Sequence, residues 1–203
     1  MTARRRSLGM ALGLFAVLAL PPVAQALQAR MQLQMLVQIP LLAVAGYLFR
    51  AALSGRWQER IHAWNPVGIN GLIVATFVLS FWMLPRSMDA AVSDWTYTVA
   101  KFITVPLLVG LPMGLSWPRM NFIMRGVVSM ELIAMCWRLG WLYLASPVRL
   151  CNNYLIDDQQ LTGRYLLAAG VALLAWIALQ LLFGHVRVPG GDGPEEGVSR
   201  HAV

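Results

Sequence analysis

The chain has 203 residues, 58% of them hydrophobic and only 12% charged, with a net charge of +7. A soluble domain carries roughly 25% charged residues, so this composition excludes an ordinary aqueous fold and points to lipid as the solvent. The positive charge is dispersed arginine with no basic stripe and no interleaved aromatics, which excludes a nucleic-acid partner.

Taken in chain order, Arg4, Arg5 and Arg6 precede an apolar stretch from Leu8 to Leu20, and Ala24-Gln25-Ala26 follows with small residues at A-x-A spacing. That is the pattern of a secretory signal peptide, and an uncleaved signal anchor has the same one. Residues 1–26 are therefore read as one or the other. Apolar runs then predict spans over Met31 to Phe49, Pro66 to Pro85, Tyr97 to Trp117, Gly126 to Ser146 and Tyr165 to Gly184. Pro66 to Pro85 and Tyr165 to Val186 hold no Asp, Glu, Lys or Arg, and about twenty such residues cross a bilayer. Backbone in lipid must satisfy its own polar groups, so the spans are helices. The predicted fold is all-α, a transmembrane bundle over 27–186 with five spans beside the N-terminal segment. Residues 187–203, rich in Gly and Pro with Glu195 and Glu196, are expected to be a disordered cytoplasmic tail.

Charge sets the expected orientation. With the first segment leading outward, Arg50, Arg56, Arg60, Arg119, Arg125, Arg187 and Arg200 fall inside, and Arg30, Arg86, Arg149 and Arg164 fall outside. This is the positive-inside bias of a multi-pass protein of the bacterial inner membrane with a cytoplasmic C-terminus. Trp57, Trp64 and Trp117 on one side and Trp82, Trp95, Tyr97, Trp141, Tyr143 and Tyr165 on the other are expected as interfacial anchors.

Three charges fall within the spans, Lys101, Glu131 and Arg138. Intramembrane ionisable residues are functional candidates because they are costly unpaired. Glu131, Met135 and Arg138 share a helix face that should point into the bundle. Lys101 is expected to snorkel to Asp89 or Asp94, and Arg138 to meet a carboxylate from an outer loop.

Soft ligands gather at the expected outer face: Met31, Met35, Met83, Met88 and Cys151. Thioether and thiolate sulfur suits Cu(I), while methionine also fills irregular apolar gaps, so these residues read either as a copper site or as packing. Cys136 lies within a span and Cys151 in a loop, which reads as independent thiols. His62, His185 and His201 all lie outside the spans, so no intramembrane histidine pair exists for haem or binuclear copper. No nucleophile and base pair or P-loop is visible, so an enzyme is not expected.

In the outer loop the run Asp157-Asp158-Gln159-Gln160-Leu161-x-Gly163 enters the last helix. Asp157 and Asp158 there complement the helix dipole. Together with Asp89, Gln159 and Gln160 they form either an ordinary helix start or a docking surface. Asp158-Gln159-Gln160-Leu161-x-Gly163 resembles the D-Q-Q-x-G signature of the CtaG-type cytochrome c oxidase assembly factor family. The segments Met35 to Leu42 and Phe81 to Asp89 are similar to two further elements of that family in order and placement. Gln34 and Gln38 stand where the family's first motif carries histidine. The resemblance implies an integral membrane factor that helps mature a haem-copper oxidase by handling Cu(I) at the outer face, with an oxidase subunit or a copper carrier protein as partner. A small secondary transporter and a non-catalytic membrane subunit of a respiratory complex are the alternatives.

Overall fold

The computed structural model describes residues 3–183, and every described secondary-structure element is helical. The tail expected at 187–203, the end of the Tyr165 to Val186 run, His185 and His201 lie outside the described residues. Helix α1 spans Ala3–Ala19 and α2 Pro21–Gln28, bent from each other by 69°. The break falls at Leu20, held extended in ψ at 127° before Pro21, because the ring of a following proline disfavours the helical region.

Helix α3 runs continuously over Met31–Ala52, α4 over Gly55–Trp64, α5 over Ile69–Met83, α6 over Pro85–Ser93, α7 over Trp95–Arg119, α8 over Phe122–Ala145 and α9 over Ile156–Phe183. Among the described residues, α3, α7, α8 and α9 are long and apolar enough to cross a membrane, and the bent pairs α1/α2 and α4/α5 raise the total to six spans if each counts as one. The membrane-spanning helical bundle expected from the apolar runs is the fold observed.

One predicted span is shorter than its apolar run. The stretch Pro66 to Pro85 is helical only over the 15 residues of α5, about 22 Å against a hydrocarbon core of about 30 Å. Gly68 is the cause: it takes φ 88°, a left-handed conformation that glycine alone tolerates well, and α4 turns away at 88°. Asn65 fixes the corner, donating to Ser116 Oγ at 2.7 Å and accepting from Gly71 N at 3.3 Å. The last span, in contrast, begins nine residues before Tyr165 and takes the whole Asp-Gln-Gln element into its first turns.

Two π-helical turns lie on facing spans. In α3 the turn Gln34–Gln38 closes with Ile39 N donating to Gln34 O, and in α7 the turn Val105–Gly110 closes with Leu111 N donating to Pro106 O. Each sits beside proline, Pro40 in α3 and Pro106 and Pro112 in α7. A proline lacks the N–H its turn needs and collides with the carbonyl four residues back, so the turn widens. Small residues let these two helices touch backbone to backbone: a Cβ on Gly46 would lie 2.1 Å from Pro106 O, and one on Gly110 2.1 Å from Ala43 O. Helices α8 and α9 form a second close pair, in which Gly140 and Gly163 each face the other's carbonyl. Such small-residue contacts are how helices associate where lipid offers no hydrophobic drive.

Candidate functional site

The end of the bundle that carries α6 and the α8–α9 connection holds the main buried cluster. Met31 and Met35 come from α3, Met83 from the end of α5, Met88 from α6 and Cys151 from the connecting loop, and all five are buried in one apolar cluster with Trp82, Tyr143 and Tyr154. Sequence separations of more than a hundred residues are closed there by the fold. Trp82 and Tyr143, expected as interfacial anchors, are instead core residues: Trp82 donates to Thr104 Oγ1 at 2.8 Å and Tyr143 OH to Met83 O at 3.4 Å. Both rings find an internal partner for their polar atom, which removes the reason to seek the interface.

Gln159 organises the loop above this cluster. Its Oε1 accepts from Leu150 N at 2.9 Å, and its Nε2 donates to Tyr143 O at 3.3 Å and Val148 O at 3.5 Å. Asp89 ties the same loop to α6, its Oδ1 accepting from Asn153 N and Nδ2, each at 2.8 Å. Arg149 closes the turn by donating to Tyr154 O at 3.1 Å and Asn152 O at 2.7 Å. Asp157 is exposed and Asp158 and Gln160 are half-buried in the first turn of α9, where the carboxylates complement the dipole. Of the Asp-Gln-Gln element, Gln159 is thus the residue that shapes the site.

Gln159→Leu is expected to leave Leu150 N without an acceptor and to cost about 1–3 kcal/mol. The sulfur beneath should then open. In a Cys136→Ser background, maleimide labelling of Cys151 should accelerate, and an unchanged rate would show that the loop is held by other bonds.

Cys151 is a thiol in this setting. Its Sγ donates to Pro85 O at 3.3 Å, and burial, reinforced by the Asp89 carboxylate, pushes its pKa up to about 11. Burial also pushes the Tyr154 phenol above its ordinary range. Tyr154 OH donates to Gln34 Oε1 and lies 2.8 Å from Gln28 O. Cys136 and Cys151 are both free.

Interleaved with the sulfurs on α3 is a polar group of which the sequence marked Lys101 as an intramembrane charge and Gln34 and Gln38 only as motif positions. Gln34, Gln38 and Lys101 are fully buried, and Lys101 Nζ donates to Gln38 Oε1 at 2.9 Å. Among the described residues, Gln28 Nε2, Gln34 Nε2 and Gln38 Nε2 are buried donors without a partner, and Gln32 Oε1 is an acceptor in the same condition. The expectation that Lys101 snorkels to Asp89 or Asp94 is overturned. Asp89 is taken by Asn153 and Asp94 caps α7 through Thr96 N at 2.7 Å, while Gln38 on the facing helix stands within reach of the ammonium.

The other two intramembrane charges are also placed differently from expectation. Arg138 pairs with Glu131 on its own helix, not with a loop carboxylate, and their side chains are 65% and 45% exposed. Helix α8 uses its Gly140 and Trp137 side against α9, which turns the 131/138 side outward instead of into the bundle. Glu131 also borders a laterally open cleft of about 580 Å³ between α3, α5, α7 and α8, whose other lining side chains are apolar except for Tyr47 and Thr76.

Among the described residues no group of three or more His, Cys, Asp or Glu is arranged to hold a metal; any metal at this end would rest on thioethers with the one thiol. Comparison of the chain with protein-family models, curated proteins and solved structures returns no match. The residues missed in the sequence are Gln34, Gln38, Tyr143 and Tyr154. Two glutamines one turn apart inside an apolar run were the available signal.

Proposed function

We propose that this chain is an integral membrane assembly factor for a haem-copper respiratory oxidase, carrying Cu(I) as cargo at the outer face of a bacterial inner membrane. One observation carries the reading: Met31, Met35, Met83, Met88 and Cys151, from four separate segments, gather in a single buried cluster beneath a loop pinned by Gln159. Thioether sulfur with one thiol is a donor set suited to Cu(I) and poor for harder ions. The same cluster is competent as apolar packing, so loading with metal is what the test must read.

The transporter alternative is weakened by geometry. Lys101 is sealed against Gln38, Glu131 lies on the rim of the open cleft and Arg138 is turned outward, so the three charges line no common path, as a relay requires.

In a Cu(I) competition titration of purified protein, the wild type is expected to bind one equivalent, and replacing Met31, Met35, Met83 and Met88 to abolish binding. No bound copper in the wild type overturns the reading. The titration also carries a pH signature. A ligating thiol must lose its proton, and Cys151 holds that proton up to about pH 11. Below that value the thiolate fraction falls tenfold per unit, so apparent affinity should rise about tenfold per unit between about pH 6 and 9. Cys151→Ser should flatten the slope; a flat wild-type profile would assign binding to the thioethers alone. Deleting the gene should lower haem-copper oxidase activity, with partial recovery in added copper.

A further inference from the structure

Helix α8 carries an ion pair at mid-membrane depth, with Glu131 on the rim of the laterally open cleft and Arg138 exposed beside it. Arg138 Nη2 donates to Glu131 Oε1 and Arg138 Nε to Ala134 O at 3.3 Å, yet the side chains remain 65% and 45% exposed. Within the 24 residues of α8, Glu131 lies about 4 Å and Arg138 about 7 Å from the midpoint, on opposite sides of it. Both depths fall inside a hydrocarbon core of about 30 Å. Charges exposed there are costly against lipid tails and are ordinarily turned toward protein or a polar cavity.

The pair also leaves hydrogen-bonding capacity unspent. Glu131 Oε2 accepts nothing and Arg138 Nη1 donates nothing within the described residues. Around them Val127, Trp141 and Leu142, at i−4, i+3 and i+4 from the two charges, are exposed apolar side chains able to exclude lipid and water from a contact. An acceptor and a donor at fixed spacing within an apolar rim are the components of a specific helix contact in a membrane.

We propose that this face of α8 docks a transmembrane helix of a different protein, one that presents an acceptor at the depth of Arg138 and a donor at the depth of Glu131, about 10 Å apart. A second copy inserted in the same orientation fits poorly. A two-fold axis along the membrane normal brings together residues of equal depth, so Glu131 would face Glu131 and Arg138 would face Arg138. The inference stands independently of copper at the sulfur cluster.

The test places a photo-crosslinking phenylalanine analogue at position 141 and irradiates native membranes containing the full chain. The expected product joins α8 to a span of one other membrane protein, whose sequenced peptide carries a polar donor and acceptor about seven residues apart. Exchanging the charges, Glu131→Arg with Arg138→Glu, keeps the internal pair but reverses the order shown to the partner, and should lower the yield at least about tenfold. If the exchange variant is unstable in detergent, Glu131→Gln with Arg138→Gln replaces it and should lower the yield likewise. Adducts with lipid alone, with a second copy or with a span lacking those polar residues overturn the proposal, as does a yield indifferent to the charges.

Discussion

Gly110→Val is expected to remove most of the folded protein from detergent extracts, and Gly46→Val to do the same. A Cβ at either position would lie 2.1 Å from a backbone carbonyl oxygen of the facing helix, far inside any van der Waals contact. The obstacle is main chain on both sides, so no rotamer change relieves it, and α3 and α7 must move apart. Overpacking that side chains can absorb costs about 1–3 kcal/mol; a backbone collision should exceed that range. Separation would also break the Lys101 to Gln38 bond, which spans the same interface at 2.9 Å. Fluorescence-detected size exclusion and a thermal-shift assay would read the loss. Gly126→Ala is the control: its Cβ would meet nothing within 4 Å, and alanine's better helix propensity should leave stability equal or raised by up to about 1 kcal/mol. Equal behaviour of the interface and control variants would contradict the close α3–α7 contact.

The same contact explains which parts of the molecule were legible beforehand. Apolar runs such as Tyr97 to Trp117 mark a span because lipid permits only self-satisfied backbone, and α7 covers that run with a few residues added at each end. The spacing Gly110-x-x-x-Gly114 was there to be read as a helix-packing face, but the identity of its partner, Gly46, was not. Pro66 to Pro85 misled because hydropathy registers the apolar run and not the left-handed Gly68 that ends the helix inside it. Orientation around a helix axis was the hardest feature. Glu131 and Arg138 were expected inward on grounds of cost, whereas the glycine side of α8 claimed the packing and turned the pair outward. At the candidate site the soft donors were recognisable by residue type. Their convergence depends on α6 and the Gln159-pinned loop closing over them, which involves bonds between residues as distant as Tyr154 and Gln34.

Gln38→Leu is expected to destabilise the bundle by about 1.5–3 kcal/mol, since it strips a buried ammonium of the oxygen it is bonded to. Lys101 is 0% exposed and has no carboxylate within ion-pair distance among the described residues, so Gln38 Oε1 carries most of its compensation. Lys101→Met should cost far less, because methionine has similar volume, no charge to desolvate and flexibility enough to fill the same space. The double variant, Lys101→Met with Gln38→Leu, replaces both partners by apolar groups and should recover wild-type stability or exceed it. Relief of the unpartnered Gln38 Nε2 contributes to the single and double glutamine variants alike and cancels in the cycle, leaving the coupling between the two side chains. Thermal unfolding in detergent supplies the stabilities. An additive result would mean that the ammonium is compensated by water or by the orphaned amide groups. The decisive comparison pairs stability with the proposed assembly role: a double variant as stable as wild type that fails to restore the oxidase activity that role predicts for the deletion strain would assign Lys101 a task beyond packing. Full restoration would make it a structural cation joining α7 to the π-helical turn of α3.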